Sequence, residues 1–363
     1  MRNFNSPMGA LAGAAMVIAG LSVAAPVHAQ DAPYYEGKTL NLLVPFGPGG
    51  GTDVWARYLA EYLPEAIEGS PTVLVENRPG GGSITGVNHF AMQVEPDGET
   101  VLITSGSSIQ PYLLEDPAVR YDLADWRPVA ANPVGAIFYV HPSTGIESAD
   151  DLGSASEELY YGGISATGND LVMLLIFDLL DMNVQSIMGY DGKGPIRVAY
   201  ERGEVNTDYQ VTPAYTTSVE PLVAADQAVP IFTFGIIDAN GDVVADEAFP
   251  DLPTVKDVYI SIHGEEPSGQ AWEAYKTFLA AGFGVQKIMW VKNDTPEQAV
   301  AALEEAIRQI AEDPEAIERG VEVLGGYPLL YGEDAAAAAR SIVNADPEAA
   351  AYAMSFLEEL GLR

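Results

Sequence analysis

The stretch that most constrains the fold is an apolar run, a glycine-rich turn and an amphipathic segment in immediate succession. Leu40 to Val44 is a short apolar run, which is typical of a buried strand. Pro45 to Gly51 follows and consists of glycine and proline around one aromatic residue. Helical spacing then returns in an apolar stripe made of Val54, Tyr58, Leu59 and Tyr62. The pattern predicts a strand, a loop and a helix, with Thr52 or Asp53 as the helix N-cap.

This loop is a candidate anion site built from backbone groups. Gly49, Gly50 and Gly51 have no Cβ, so their N–H groups can come close to a ligand. The first N–H groups of a helix are unpaired and carry partial positive charge, which favours an anion there. A tight turn that binds nothing is the alternative. Nucleotide binding has weak support, because the loop lacks both the lysine of a P-loop and the Gly-x-Gly-x-x-Gly spacing.

The first 29 residues have the pattern of a secretory signal peptide. Arg2 is followed by a small, apolar and uncharged stretch, and Val27-His28-Ala29 resembles a cleavage site. We expect cleavage after Ala29 and export of the mature protein; a membrane anchor is the alternative. The sequence has no cysteine, which excludes disulfides, thiolate metal sites and a lipid-modified cysteine.

The charge balance restricts the partners. The chain has 52 Asp and Glu against 17 Lys and Arg, a net charge of −35. Such a surface argues against binding nucleic acid or anionic membranes. It also repels an anionic ligand at long range, although salt weakens this effect because the Debye length falls to about 3 Å near 1 M. Whether folding requires salt stays open.

Further strands alternate with helices. Thr72 to Val75 is followed by a second glycine-rich turn, and Val101 to Thr104 is followed by Ser105-Gly106-Ser107-Ser108. This alternation predicts a parallel sheet with both faces covered. Loops that follow parallel strands lie at one rim of the sheet, where ligands bind in open α/β folds.

Several motifs occur together in an order that is specific to one family. They are Val44 to Asp53, Val75 to Gly80, Pro96-Asp97-Gly98, Ser105-Gly106-Ser107, Tyr161-Gly162-Gly163 with Thr167-Gly168, Gly189 to Pro195, and Pro250 to Val255. In this order they resemble the substrate-binding proteins of tripartite tricarboxylate transporters, also called Bug-type periplasmic receptors. The resemblance extends over most of the chain after the signal peptide.

The resemblance implies an α/β periplasmic binding protein of the two-lobe type II, or Venus-flytrap, class, with a ligand cleft between the lobes. The implied lobe one comprises residues 30–132 and 235–363, and lobe two comprises 133–234. Whether the lobes are open or closed stays undecided.

The resemblance also implies which residues contact the ligand. In lobe one they are Phe46, Gly47, Gly50, Gly51, Thr52, Asp53, Ser105, Gly106 and Ser107. In lobe two they are Ser165, Ala166, Thr167, Gly168, Tyr190, Gly192, Gly194 and Gln210. For each residue, loop geometry without ligand contact is the alternative.

Three positions depart from the family pattern, and all three lie in lobe two. Gln210 stands where the family often has Asp, and Asp170 stands where it often has His. Asp170 begins a predicted helix, so it is either a cap or a ligand contact. Lys193 falls one position after the usual basic residue. The group at the far end of the ligand is therefore undefined.

The implied function is capture of a small carboxylic acid by lobe closure and delivery to the large and small membrane subunits of a transporter. Presentation of the same solute to a membrane sensor kinase is the alternative, and neighbouring genes would distinguish the two. The acid can be a di- or tricarboxylate, a short monocarboxylate or an aromatic acid. We expect a monomer.

Enzyme activity has no support in the sequence. There is no Gly-x-Ser-x-Gly elbow, so a secreted hydrolase lacks its nucleophile. His89, His141 and His263 are widely separated, which argues against a catalytic triad and against a histidine metal site. We expect no cofactor and no metal.

Overall fold

The computed structural model describes residues 32–238, 240–342 and 346–362. The expected signal peptide, 1–29, lies outside these residues. By its internal contacts the chain divides into Met1–Ala32 and Pro33–Arg363, and the strands and helices belong to the second unit. Within the described ranges, no helix combines the length and the apolar character needed to cross a bilayer.

Strands and helices alternate over much of the described chain. The strands are β1 (Thr39–Val44), β2 (Thr72–Asn77), β3 (Thr100–Thr104), β4 (Trp126–Asn132), β5 (Ala136–Val140), β6 (Leu159–Gly163), β7 (Val184–Met188), β8 (Thr207–Val211), β9 (Val229–Thr233), β10 (Ile236–Ile237), β11 (Val243–Val244), β12 (Lys287–Lys292) and β13 (Leu330–Tyr331). The helices are α1 (Gly51–Ala66), α2 (Ile84–Gln93), α3 (Gly106–Leu113), α4 (Asp170–Leu179), α5 (Lys193–Glu201), α6 (Thr212–Ala214), α7 (Glu220–Ala224), α8 (Val255–His263), α9 (Gln270–Leu279), α10 (Glu297–Glu312), α11 (Pro314–Leu324), α12 (Gly332–Ile342) and α13 (Pro347–Glu359).

The first sheet has the strand order β13-β4-β12-β3-β1-β2. β1 pairs in parallel with β2 and β3, as the alternation of strands and helices predicts. The expectation of a fully parallel sheet is wrong, because β12 runs antiparallel to both β3 and β4. β12 follows the second sheet in the chain and enters the first sheet from the opposite end. Its first residues therefore lie beside the last residues of β3.

β1 is buried on both faces of the first sheet. Leu40 and Leu42 belong to the apolar cluster that also contains side chains of α1, and Leu43 belongs to the cluster that contains side chains of α2. A continuous apolar run is the pattern expected of such a strand. The buried stripe of α1 differs from the predicted one, since it is formed by Trp55, Tyr58, Leu59 and Leu63. Val54 and Tyr62 are only partly buried.

The second sheet has the strand order β7-β6-β8-β5-β9. β6 pairs in parallel with β7 and β8, whereas β5 runs antiparallel to β8 and β9. Residues 133–135 connect β4 of the first sheet to β5 of the second, and the chain returns to the first sheet at β12. Two α/β sheets with helices, joined in this way, confirm the predicted two-lobe α/β architecture.

The helices after the second sheet affect where the lobes are divided. Val255 of α8, Tyr275 of α9 and Phe356 of α13 belong to the apolar cluster that fills one face of the second sheet. The division at 133–234 stays a prediction, and we propose that lobe two also includes α8, α9 and α13. Sequence pattern indicates that these segments are helical but does not indicate which sheet they cover.

Candidate ligand-binding cleft

A small cavity of about 30 Å³ lies where loops of the two lobes meet. On the lobe-one side it is bordered by the ends of β1 and β3 and by the start of β12. On the lobe-two side it is bordered by the loop after β6, the start of α5 and the end of β8. Predicted residues that line it are Phe46, Gly50, Gly51, Thr52, Asp53, Ser105 and Ser107.

The remaining predicted residues are placed around the cavity rather than on its wall. They are Gly47, Gly106, Ser165, Ala166, Thr167, Gly168, Tyr190, Gly192, Gly194 and Gln210. Sequence reasoning also missed seven lining residues, which are Ile164, Asn169, Lys193, Tyr209, Val211, Gln286 and Lys287.

Helix α1 begins earlier than predicted. Its N-cap is Gly50, so the expectation of Thr52 or Asp53 as N-cap is wrong. Gly49, at φ +82°, turns the chain into the helix, a conformation that side chains disfavour. Gly51, Thr52 and Asp53 then form the first turn on the cavity wall, and their N–H groups have no partner within the helix.

The Asp53 side chain holds the loop rather than a ligand. Its carboxylate accepts hydrogen bonds from Gly49 N at 2.9 Å and Asn77 Nδ2 at 2.9 Å. It also forms an ion pair with Arg57, with Nε at 2.9 Å from Oδ2. The negative charge of Asp53 at the helix start is thereby neutralised by Arg57, and the glycine loop is fixed in shape.

Helix α3 supplies the second polar wall of lobe one. Ser105 is its N-cap, and its Oγ accepts from Ser107 N at 3.2 Å. Ser107 Oγ accepts from Asn169 N of lobe two at 3.1 Å. Gly106 has another role, because a Cβ there would lie 2.4 Å from both Asn169 Oδ1 and Gly282 O. A glycine is needed at this position for the close approach of the two lobes.

The loop after β6 contacts lobe one directly. A Cβ at Gly168 would lie 3.2 Å from the Ser107 side chain, and a Cβ at Gly82 would lie 2.6 Å from Ser165 Cβ. Thr167 Oγ1 donates to Asp116 Oδ2 at 3.4 Å. The serine and threonine predicted to hold the ligand thus meet the opposite lobe instead.

The segment Gly189 to Pro195 is the second contact between the lobes. Gly47 N donates to Asp191 O at 2.7 Å. A Cβ at Gly194 would lie 2.1 Å from Pro48 O, which brings the start of α5 into direct contact with the glycine loop. Gly192 also lies against this loop, since its Cβ position is 3.1 Å from Gly47 N.

Lys193 lines the cavity, and its charge is paired with carboxylates of its own lobe. Its Nζ lies 3.2 Å from Asp170 Oδ1 and 3.1 Å from Asp208 Oδ1, and it lies over the Tyr209 ring at 3.7 Å from the centroid. Burial raises the pKa of Asp208, although Lys193 and the hydrogen bond from Tyr139 oppose that shift. One ammonium therefore faces two carboxylates behind this wall.

Asp170 braces a loop. Its Oδ2 accepts from Ile164 N at 2.7 Å and Ser165 N at 3.1 Å, and its other oxygen accepts from the Tyr161 hydroxyl. Both hypotheses for Asp170 are therefore replaced by a third role. Its side chain fixes the β6–α4 loop and compensates Lys193.

Gln210 lies behind the wall. It is fully buried, and its Nε2 donates to Lys193 O at 2.9 Å and to Asp208 Oδ2 at 2.9 Å. The Gln210 amide thus stabilises the carboxylate of Asp208, a residue that the sequence pattern did not place near the cleft.

Lys287 and Gln286 come from the start of β12. Lys287 is 1% exposed, and its Nζ donates to Thr52 Oγ1 at 3.0 Å. Burial lowers the pKa of Lys287 well below its ordinary value. The sequence carries a weak signal for this residue, since Lys287 is a single charge at the start of the apolar run Ile288 to Val291. Its place opposite Thr52 depends on the antiparallel entry of β12, which no local pattern indicates.

Comparison with known proteins gives relatives at moderate similarity. No protein-family model matches the chain. The chain is 32% identical to the protein BugT of Bordetella pertussis over 212 residues, which is 56% of this chain. That match spans 63% of BugT, less than two thirds of its length. A UPF0065 protein of the same organism is 29% identical over 312 residues, covering 83% of this chain and 84% of that protein.

Solved structures share the fold. The periplasmic binding protein BugD aligns with a TM-score of 0.67 and 21% identity, covering 91% of this chain and 99% of BugD. MatC from Rhodopseudomonas palustris with bound malate aligns with a TM-score of 0.65 and 18% identity, covering 88% of this chain and 99% of MatC. The two-sheet α/β fold of this chain is thus shared with the periplasmic binding protein BugD.

The comparisons confirm the resemblance that the motifs indicate, since the chain is similar in sequence to BugT and in fold to BugD. BugD is described as a periplasmic binding protein.

Proposed function

We propose that the chain is a periplasmic receptor that captures a small carboxylic acid between its lobes and delivers it to the membrane subunits of a tripartite tricarboxylate-type transporter. The observation that carries the proposal is the cavity itself. It is lined by residues of both lobes, and the start of α1 supplies it with unpaired backbone N–H groups.

The proposed ligand contacts in lobe one are the predicted residues that line the cavity. Helix dipole and backbone N–H groups at Gly51, Thr52 and Asp53 would bind a carboxylate. The hydroxyls of Ser105 and Ser107 lie on the same wall and can donate to it or accept from it. A carboxylate is also the chemistry of malate, the ligand in the MatC structure.

The predicted residues outside the wall have a separate part in the proposal. Gly47, Gly168 and Gly194 lie at contacts between the lobes. We assign this set to lobe closure, which would shut the ligand away from water. Enclosure strengthens each electrostatic contact with the acid because the local dielectric falls.

Thermal unfolding of the protein with a panel of carboxylic acids tests the proposal. Co-purified ligand is first removed by unfolding and refolding. An acid at one hundred times its Kd stabilises the folded state by about 2.7 kcal/mol. A selective rise in Tm for one class of acid supports the proposal, and no rise with any acid contradicts it.

A further inference from the structure

Lys287 is a buried lysine whose ammonium form has no neutralising partner in the described part of the protein. Its side chain is almost completely buried, and the described part of the chain offers no carboxylate within ion-pair distance of its Nζ. The contact given for the ammonium is the Thr52 hydroxyl at 3.0 Å. A hydroxyl satisfies one of three N–H donors and cancels no charge. Burying an ammonium in this way is costly unless an anion accompanies it.

Lys193, the other lysine on the wall, has its positive charge compensated by carboxylates. Lys193 has two carboxylates within 3.2 Å and also donates to Tyr161 Oη at 2.9 Å. Asp53, the acidic residue on the wall, is paired with Arg57. Among the described lining residues, the surplus positive charge therefore belongs to Lys287.

Gln286, next to Lys287, adds a second unsatisfied group. It lines the cavity at 4% exposure, and its Oε1 has no hydrogen-bond partner among the described residues. A ligand hydroxyl can pair with this amide whether the oxygen or the nitrogen faces the cavity, because a hydroxyl both donates and accepts. An unpaired buried amide is otherwise destabilising.

From these contacts we propose that Lys287 is the counter-ion of one ligand carboxylate, held between its ammonium and the first turn of α1, and that the cleft takes a compact hydroxylated monocarboxylate. The inference rests on the proposed function. The single uncompensated ammonium of Lys287 matches one ligand carboxylate. The described residues of the lobe-two wall offer no unpaired cation to a second ligand carboxylate. The volume of about 30 Å³ also favours a short acid.

Three acids of matched shape test the ligand class. Lactate has the hydroxyl and one carboxylate, propionate lacks the hydroxyl, and malate adds a second carboxylate. Calorimetric titration of the refolded full chain should give lactate at least about tenfold tighter binding than either of the others, since each mismatch leaves a buried polar or charged group unpaired. Malate binding as tightly as lactate, or tighter, would overturn the single-carboxylate assignment. Equal binding of propionate and lactate would overturn the role of Gln286.

The variant Lys287→Met tests the counter-ion. Loss of a charge-assisted hydrogen bond should weaken lactate binding about 10- to 150-fold. Without ligand, the Tm of the variant should equal or exceed that of the wild type, because an uncompensated buried charge is removed. Lys287→Gln keeps a donor for Thr52 and serves as the second variant should the first fold poorly.

Lys292→Met is the matched control on the same strand. Its Nζ donates to Ala91 O and Val94 O, away from the cavity, so lactate affinity should stay within about threefold of the wild type. If no acid binds the wild type, the proposed function fails and this inference fails with it. If lactate binds Lys287→Met as well as the wild type, the inference alone is overturned.

Discussion

Replacing Gly194 by alanine should block lobe closure while leaving each lobe folded. The added Cβ would lie 2.1 Å from Pro48 O and 2.9 Å from Gly49 C, whereas ordinary contact begins at 3.4 Å. These atoms are backbone of the opposite lobe, so no side chain can move aside. Within its own lobe the change is favourable, because Gly194 lies in the first turn of α5 and alanine is the better helix former.

The cost to closure can be worked from these distances. Relief of the clash requires the two segments to separate by roughly 1 Å, which is enough to break the bond from Gly47 N to Asp191 O at 2.7 Å. Loss of that hydrogen bond costs about 1 kcal/mol. Overpacking adds about 1–3 kcal/mol. The sum, about 2–4 kcal/mol, corresponds to a loss of ligand affinity of about 30- to 1,000-fold.

Two measurements check this prediction. Calorimetry gives the affinity for the acid that most stabilises the wild type, and small-angle X-ray scattering gives the radius of gyration with and without that acid. Gly153→Ala is the control, since a Cβ at Gly153 has nothing within 4 Å. Wild-type affinity in Gly194→Ala would refute the closure argument. A fall in the Tm of the ligand-free variant would refute the claim that the change leaves the lobes intact.

Three further predictions follow from the cleft. A Cβ at Gly51 would lie 2.0 Å from the side-chain atom Val211 Cγ2, so Gly51→Ala should weaken acid binding at least tenfold. The added change Val211→Ala removes the clashing atom and should restore part of the affinity. Equal affinities in the single and double variants would contradict this. The net charge of −35 repels an acid, so its association rate should rise about tenfold between 0.01 and 0.15 M salt, as the Debye length falls from about 30 to 8 Å; stopped-flow fluorescence showing a falling rate would contradict it. The pKa of Lys287 in the folded protein is below its unfolded value of 10.5, so protonation of Lys287 destabilises the folded state. This destabilisation is largest below the folded pKa and decreases as the pH rises toward 10.5. The stability gained in Lys287→Met should therefore shrink on going from pH 7 to pH 10, measured by urea unfolding, and a gain that grows with pH would be the contrary result.

Local pattern was sufficient for the elements around the glycine loop. The apolar run before Pro45 and the helical spacing after Gly51 depend on neighbours in sequence, so β1 and α1 could be predicted with small errors at their ends. The sequence pattern placed the N-cap too late because Thr52 and Asp53 are common N-cap residues. The actual N-cap, Gly50, has no side-chain hydrogen bond to the helix. The Asp53 carboxylate is instead used by Gly49, Arg57 and Asn77.

The lobe-two half of the site could not be predicted in the same way. Whether Thr167 faces the ligand or the opposite lobe depends on how the lobes approach each other. Lys193 and Asp208 are 15 residues apart and meet only because α5 lies against β8. Lys287 reaches Thr52 across 235 residues through the antiparallel entry of β12. The family resemblance includes seven of the residues that line the cavity, but it does not indicate which side chain of each lobe-two segment meets the cavity.

The most direct test of the central claim is a crystal structure of the protein with the acid that most raises its Tm. We expect one acid molecule enclosed between the lobes, with a carboxylate oxygen within hydrogen-bond distance of Lys287 Nζ and of a first-turn N–H of α1. An acid bound outside the interlobe cavity, or bound inside it with its carboxylate directed away from the start of α1, would contradict this binding mode.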